Sequence, residues 1–245
     1  MKDFLFINSI NRENKNSSPD DFVLKLIKPF KTKKLELTHI TLPVAHYTIM
    51  TGINDSVTLT VSAVDYTMTL TQGIYTNFTD LTTELQTQLN AAYTVDNLFT
   101  VTYTALTQSF TIAHPTASSI FKFSTGGLGK MLGFYRQNTS SAVSHTSDQM
   151  ATLVYDSNFL IHCHELVNGN SYVNNNYKSV VYPIPIGGNI TDILTIDLER
   201  DEKVFCFDTI RNFNSLNFFL TFSDGVTKVP LKQDWCMIFK YEVPY

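Results

Sequence analysis

Asp20-Asp21-Phe22-Val23-Leu24-Lys25-Leu26, followed at Leu35-Glu36-Leu37-Thr38-His39-Ile40-Thr41-Leu42-Pro43-Val44-Ala45-His46-Tyr47, is the stretch whose pattern decides the architecture. Phe22, Leu24 and Leu26 alternate with polar neighbours, as do Leu35 and Leu37 and then Ile40 and Leu42. Period two is the mark of strands that bury one face, so two strands are predicted here. Working outward, Phe4 and Phe6 repeat the pattern upstream. Val57, Leu59 and Val61, and Phe99, Val101 and Tyr103, repeat it downstream with Thr on the opposite face, where a β-branched polar residue suits an exposed strand surface. Further strands are predicted over Phe159–His164, Ser179–Ile184, Lys203–Phe207, Leu216–Phe222 and Trp235–Tyr241. Ser223-Asp224-Gly225 reads as a hairpin turn, and Asn168–Asn176 as a turn-rich loop.

One segment breaks the period. Phe78, Leu81, Leu85, Leu89 and Ala92 fall at three- and four-residue steps behind Asn77 as N-cap, with Asp80 in the first turn. This predicts one amphipathic helix lying across a sheet. The Ser/Thr/Gln-rich run Gln137–Gln149 has no apolar period and reads as a mobile surface loop. The fold class expected is mainly β, a single jelly-roll sandwich with a small α/β insertion carrying that helix. The divisions expected are an N-terminal arm over 1–18, a jelly-roll core over 19–56 and 151–245, and an inserted β-β-α-β-β subdomain plus mobile loop over 57–150.

Composition narrows the function classes. The chain has 245 residues, 43% of them hydrophobic, with 18 Phe and 12 Tyr but only 16% charged. That is ample for a core and lean for a lone monomer's surface, which points to buried subunit contacts. A formal charge of -4 argues against a nucleic-acid grip spread over the whole chain. The one basic cluster, Lys28, Lys31, Lys33 and Lys34, reads as a solvated loop between strands. No run is apolar and long enough to span a membrane, and no cleavable leader is expected. Cys163, Cys206 and Cys236 lack zinc spacing and read as reduced core residues made in a reducing compartment.

The sharpest catalytic candidate is His162-Cys163-His164-Glu165, because two His one residue apart on a strand point to one face, as metal-binding cupins require. Glu165 then points to the other face, and no His follows His164. With no third ligand the pair is rejected as a metal site. Gly126-Gly127-Leu128-Gly129-Lys130 is too short for a Walker loop. Asp192, Asp197, Glu199, Asp201 and Glu202 form an acidic run without calcium-loop spacing, which reads as a charged strand edge. No nucleophile elbow occurs. No catalytic residue, cofactor or enzyme activity is expected.

Asn8-Ser9-Ile10-Asn11-Arg12, Asp20-Asp21-Phe22, Pro43 with Tyr47 and Asn54, Gly73-Ile74-Tyr75 before the helix, Leu132-Gly133-Phe134, and Leu216-Asn217-Phe218 to Trp235 occur in one order. That order resembles the penton (minor capsid) proteins of virophages, polinton-like elements and the related large DNA virus lineage. The resemblance implies a single jelly roll, five copies of which plug each icosahedral five-fold vertex, assembled in the host cytoplasm or viral factory. The implied partners are itself, as a homopentamer, and neighbouring major capsid protein, with a receptor or fibre as a further partner. Asn8, Ser9, Asn11 and Arg12 would belong to an arm contacting neighbouring subunits. Other readings are a minor cement or spike-base capsid protein and, from a different class, a carbohydrate- or receptor-binding jelly-roll module.

Overall fold

The computed structural model describes residues 2–44, 46–123, 127–136, 138–166, 179–186, 192–198 and 203–243. In chain order the strands are β1 (Lys2–Asn8), β2 (Asp21–Pro43), β3 (Ser56–Val61), β4 (Val64–Thr69), β5 (Thr100–Thr104), β6 (Ser109–Ala113), β7 (Ser119–Phe123), β8 (Ser144–Thr146), β9 (Asn158–Cys163), β10 (Val180–Pro185), β11 (Ile193–Asp197), β12 (Lys203–Phe222) and β13 (Cys236–Glu242). The helices are α1 (Phe78–Ala92) and α2 (Leu128–Met131). Two compact units result, Met1–His46 with Asp156–Tyr245, and Tyr47–Tyr155.

In the first unit β2 serves both halves of one bent sheet. Its residues 21–25 pair with 215–219 of β12, whose other side carries β9 and then β10. Its residues 35–41 pair with β13, which pairs in turn with β1, and 39–43 carry β11 on the far side. Beside β11, residues 203–206 of β12 pair with 34–37 of β2. The hydrogen-bonded order is thus β1-β13-β2-β12-β9-β10 with β11 also on β2, all antiparallel, and the long strands β2 and β12 bend together to carry β9 and β10 on one half and β13, β1 and β11 on the other. Early and late segments paired in this way make a jelly roll. The inserted unit interrupts the chain between the end of β2 and β9.

Two strands are predicted over 21–43 and one is observed. The turn between the two halves is a bend, where the β2–β12 register shifts between Cys206 and Arg211 and again between Phe213 and Ser215. Thr32, buried there, donates to the Lys34 carbonyl at 2.7 Å and accepts from the Lys34 N–H at 3.1 Å. A side chain that satisfies its own backbone lets the strand kink without ending. The lysine cluster consequently lies on a strand. Lys34 is ion-paired with Glu36, which Lys240 also reaches at 3.4 Å across the β2–β13 register. The hydrogen bond from Lys34 is the main reason the Glu36 carboxyl is held below its ordinary range.

The segment expected as a separate arm is not separate. β1 pairs with β13 over its whole length, Lys2 opposite Glu242 to Asn8 opposite Cys236. Its alternation was legible, but the face is the reverse of the one predicted. Ile7 is buried, whereas Phe4 and Phe6 are 52% and 69% exposed. The same period places either set inward, and a one-residue choice decides which.

In the second unit α1 forms as its sequence dictates. The Asn77 side chain accepts from the Asp80 N–H at 2.9 Å, and Leu81, Leu85 and Leu89 make a fully buried stripe. They pack with Leu59, Phe99, Phe110 and Phe121 in a core shared by two three-stranded sheets, β4-β3-β7 and β5-β6-β8. The strand order extends the predicted β-β-α-β-β with β7 and β8. β8 rises from the run expected to be mobile. Ala142 and Ser119 exchange both backbone hydrogen bonds, at 2.8 and 3.1 Å, and Ser147 N–H donates to Phe110 O at 2.8 Å. Gln137 itself, Asn168–Asn176, Gly126, Glu199, Asp201 and Glu202 lie outside the described residues.

Candidate functional site

Asn8, Ser9, Asn11 and Arg12 are brought together around the start of β13. The Asn8 side chain caps the short 3-10 turn Ser9–Asn11 by accepting from Ile10 N–H at 3.0 Å. Ser9 is buried, its hydroxyl donating to Asp234 Oδ1 at 2.7 Å and accepting from Trp235 N–H at 3.0 Å. Arg12 ion-pairs with the same Asp234 oxygen at 2.7 Å and donates to Ser9 O at 2.8 Å. The Trp235 indole N–H closes the knot on Pro19 O at 2.7 Å. The motif is thus an intramolecular latch holding β1 against β13, with Ile10 and Asn11 left exposed.

Among the described residues no third ligand joins His162 and His164. His162 sits on β9 directly opposite Phe219 and stacks on it at 4.4 Å, its nitrogens 2.9 Å from Ser179 Oγ and 2.8 Å from Thr221 Oγ1. Both nitrogens are therefore satisfied by hydroxyls, which leaves no lone pair for a cation. His164 lies in the turn after β9. Among the described residues no cluster of three or more His, Cys, Asp or Glu could hold a metal ion. The Gly127-Leu128-Gly129-Lys130 run opens only the four-residue α2, with the Gly129 position pressed against the Phe123 ring. Asp197 lies on β11, which among the described residues pairs only with β2. The three thiols form no disulfide, and of the three expected in the core only Cys163 is buried; Cys206 is exposed on β12 and Cys236 half-buried at the start of β13.

His46 was not singled out by its sequence context, yet it is the least satisfied buried polar group. Its ring is fully buried edge-on to Phe159 at 5.2 Å and Phe222 at 5.9 Å, with neither nitrogen hydrogen-bonded. Burial lowers its pKa, and burial, then His164, pushes that of His162 down to about 4. Both are neutral in the fold, while the unfolded chain takes up protons near 6.5. The unfolded state therefore binds more protons below that point, and stability present above pH 6.5 is lost as pH falls toward 4. Thermal melts should drop between pH 6.5 and 5, before the carboxylates titrate, and His46→Phe should flatten that slope. A melt independent of pH over this window would contradict the buried neutral imidazoles.

The second unit carries an open cleft of about 290 Å³, lined by Phe134, Arg136, Ser140, Ser144, His145 and Asp148 among others. Most of its lining comes from the run taken as a loop, with Phe134 and Arg136 just before it. A lone Arg among Ser and Thr was the sole local signal, and their convergence depends on strands distant in sequence.

No protein-family model matches the chain, and no curated protein matches it. Solved structures do match. A chain of the Sputnik virophage, solved by cryo-EM, superposes with a TM-score of 0.51 at 8% identity, covering 98% of this chain and 97% of that one. The crystal structure of the selenomethionine-labelled mavirus penton protein gives 0.46 at 13% identity, covering 99% of each chain. The Sputnik likeness lies in shape rather than sequence, and what it shows is a common fold over nearly the full length, the mainly β jelly roll described above.

Proposed function

We propose that this chain is a structural virion protein, a penton subunit that closes the five-fold vertex of the icosahedral capsid of a double-stranded DNA virus. The observation that carries the proposal is a pair of unlike edges on one sheet. Among the described residues β1 pairs only with β13, and it presents Phe4 and Phe6 side by side on its outward face. Lys28 and Lys31 line the same edge, around a groove of about 430 Å³ in which Asp3 is the one acidic residue against the two lysines. At the opposite edge β11 presents Ile193, 65% exposed, between Asp192 and Asp197.

An exposed apolar edge strand is a template for association. Two different edges, one basic and one acidic, favour head-to-tail contact, which closes into a ring when the rotation allows. The motif order and the fold common to the Sputnik chain support a capsid setting, with major capsid protein as neighbour and the virion vertex as location. In this reading Ser9 and Arg12 hold the edge strand in place, and Asn8 and Asn11 lie at its end. Among the described residues no helix is long and apolar enough to cross a membrane.

Light scattering of purified protein, with negative-stain averages, should give a five-fold ring of about 139 kDa, five times the 27.7 kDa chain. Phe4→Asp with Phe6→Asp should reduce it to monomer without lowering the melting temperature, since both side chains face solvent. A double variant that still forms rings would remove β1 from the interface. A protein absent from purified capsids would overturn the vertex role itself.

A further inference from the structure

The cleft in the inserted unit is built, not incidental. Its wall is tied to β7 by backbone bonds from Thr139 N–H to Phe121 O at 3.0 Å and Ala142 N–H to Ser119 O at 3.1 Å, and to the turn after α2 by one from Gln149 N–H to Gly133 O at 3.0 Å. Gly133, at φ +84°, brings the chain so close that a Cβ there would sit 2.2 Å from Gln149 O. A polar loop fixed this firmly on strands presents a preformed site rather than one that must be ordered at binding. Its volume lies at the lower end of the range for small-ligand sites.

The chemistry of the lining is specific. Arg136 is exposed and has no hydrogen-bond or ion-pair partner among the described residues. The hydroxyls of Ser140 and Ser144 are likewise unpartnered among the described residues. His145 Nε2 lies 3.0 Å from the Ala142 carbonyl, which can only accept, so Nε2 carries the proton and Nδ1 keeps a lone pair with no described partner. Burial lowers the His145 pKa, which leaves the ring neutral at pH 7. Asp148 accepts from Tyr135 N–H through Oδ1 at 3.3 Å, with Oδ2 left as a second acceptor. Phe134 supplies an apolar floor.

One unpaired guanidinium beside two hydroxyls and two hydroxyl acceptors is the complement of a ring bearing one carboxylate and several hydroxyls. We infer that this cleft binds an acidic sugar, such as a terminal sialic or uronic acid residue of a surface glycan. Arg136 takes the carboxylate. His145 Nδ1 and Asp148 accept from ring hydroxyls, and Ser140 and Ser144 bridge the rest. The inference stands apart from the vertex role, since it uses only the inserted unit.

The test is saturation-transfer NMR on the full chain with methyl sialoside, methyl glucuronoside, methyl glucoside and acetate. Both acidic sugars should bind with dissociation constants of about 1 mM, and the neutral glucoside and acetate at least ~10-fold more weakly. Arg136→Gln should weaken the acids ~10-fold or more, and Ser144→Trp should abolish binding by filling the cleft, both with unchanged far-ultraviolet circular dichroism. Failure of both acidic sugars to bind would overturn the inference. So would equal binding to wild type and both variants, or acetate binding as well as the sugars, which would mark a bare carboxylate site.

Discussion

A chain ending at Lys232 should contain no folded jelly roll. The missing segment carries β13, which lies between β1 and β2 and is the only strand paired with β1 among the described residues. It also carries Trp235, 2% exposed, which packs at 5.7 Å from Phe22 and 6.1 Å from Phe218. Emptying a large aromatic site alone costs about 3–5 kcal/mol, against a typical total of ~5–15 kcal/mol for a folded domain. Loss of the Ser9, Arg12 and Pro19 latch and of a central strand adds to that. Hydrogen exchange read by mass spectrometry should show β2, β9 and β12 amides exchanging rapidly. Those of α1 and β6 should stay protected, because their core is closed within residues 49–151. Protection of β12 unchanged from the full chain would mean that β13 is peripheral.

How far the sequence could be read follows from where the information lies. Leu35, Leu37, Ile40 and Leu42 are all 0% exposed, as their alternation predicts, and the α1 stripe and Asn77 cap are where the three- and four-residue steps put them. These are local patterns written by one-sided burial. The failures are non-local. Whether Phe4 and Phe6 or Leu5 and Ile7 face inward depends on which face of β13 is covered, and nothing within β1 records that. The bend in β2 is stabilised by Thr32 bonding its own backbone, and the lysines around it read as a loop. The 138–149 run is ordered by bonds to Phe110, Ser119 and Phe121, each many residues away, and its polar side chains carry no period for that reason. The cleft depends on the same contacts, so neither Arg136 nor the isolated His145 carries a local mark of it. His162 was rejected as a ligand for want of a third partner. The structure adds a physical reason, in that both its nitrogens already face hydroxyls.

Leu85→Asp should destabilise the inserted unit by at least ~4 kcal/mol. The leucine is at the centre of the α1 stripe, fully buried, with Leu81 and Leu89 a turn away on either side. Its removal alone would cost about 2–5 kcal/mol through lost packing. The carboxylate then adds a charge among apolar side chains, where it must be either desolvated or neutralised. Because burial raises such a carboxylate's folded pKa above the ordinary ~3.9, the penalty is full at pH 7 and recedes as pH falls toward 4. That sign is opposite to the loss expected from His46 and His162 over the acid range, so melts of the variant and of wild type should converge on acidification. Thr83→Asp, two residues before it on the exposed face, should change stability by no more than about 0.5 kcal/mol and serves as the control. Equal melts of the two variants at pH 7 would mean that α1 does not pack on the sheets. Since the cleft is assembled on β6 and β7, strands of the core that α1 closes, the destabilised variant should also lose its binding of acidic sugar at temperatures where the jelly roll is still intact.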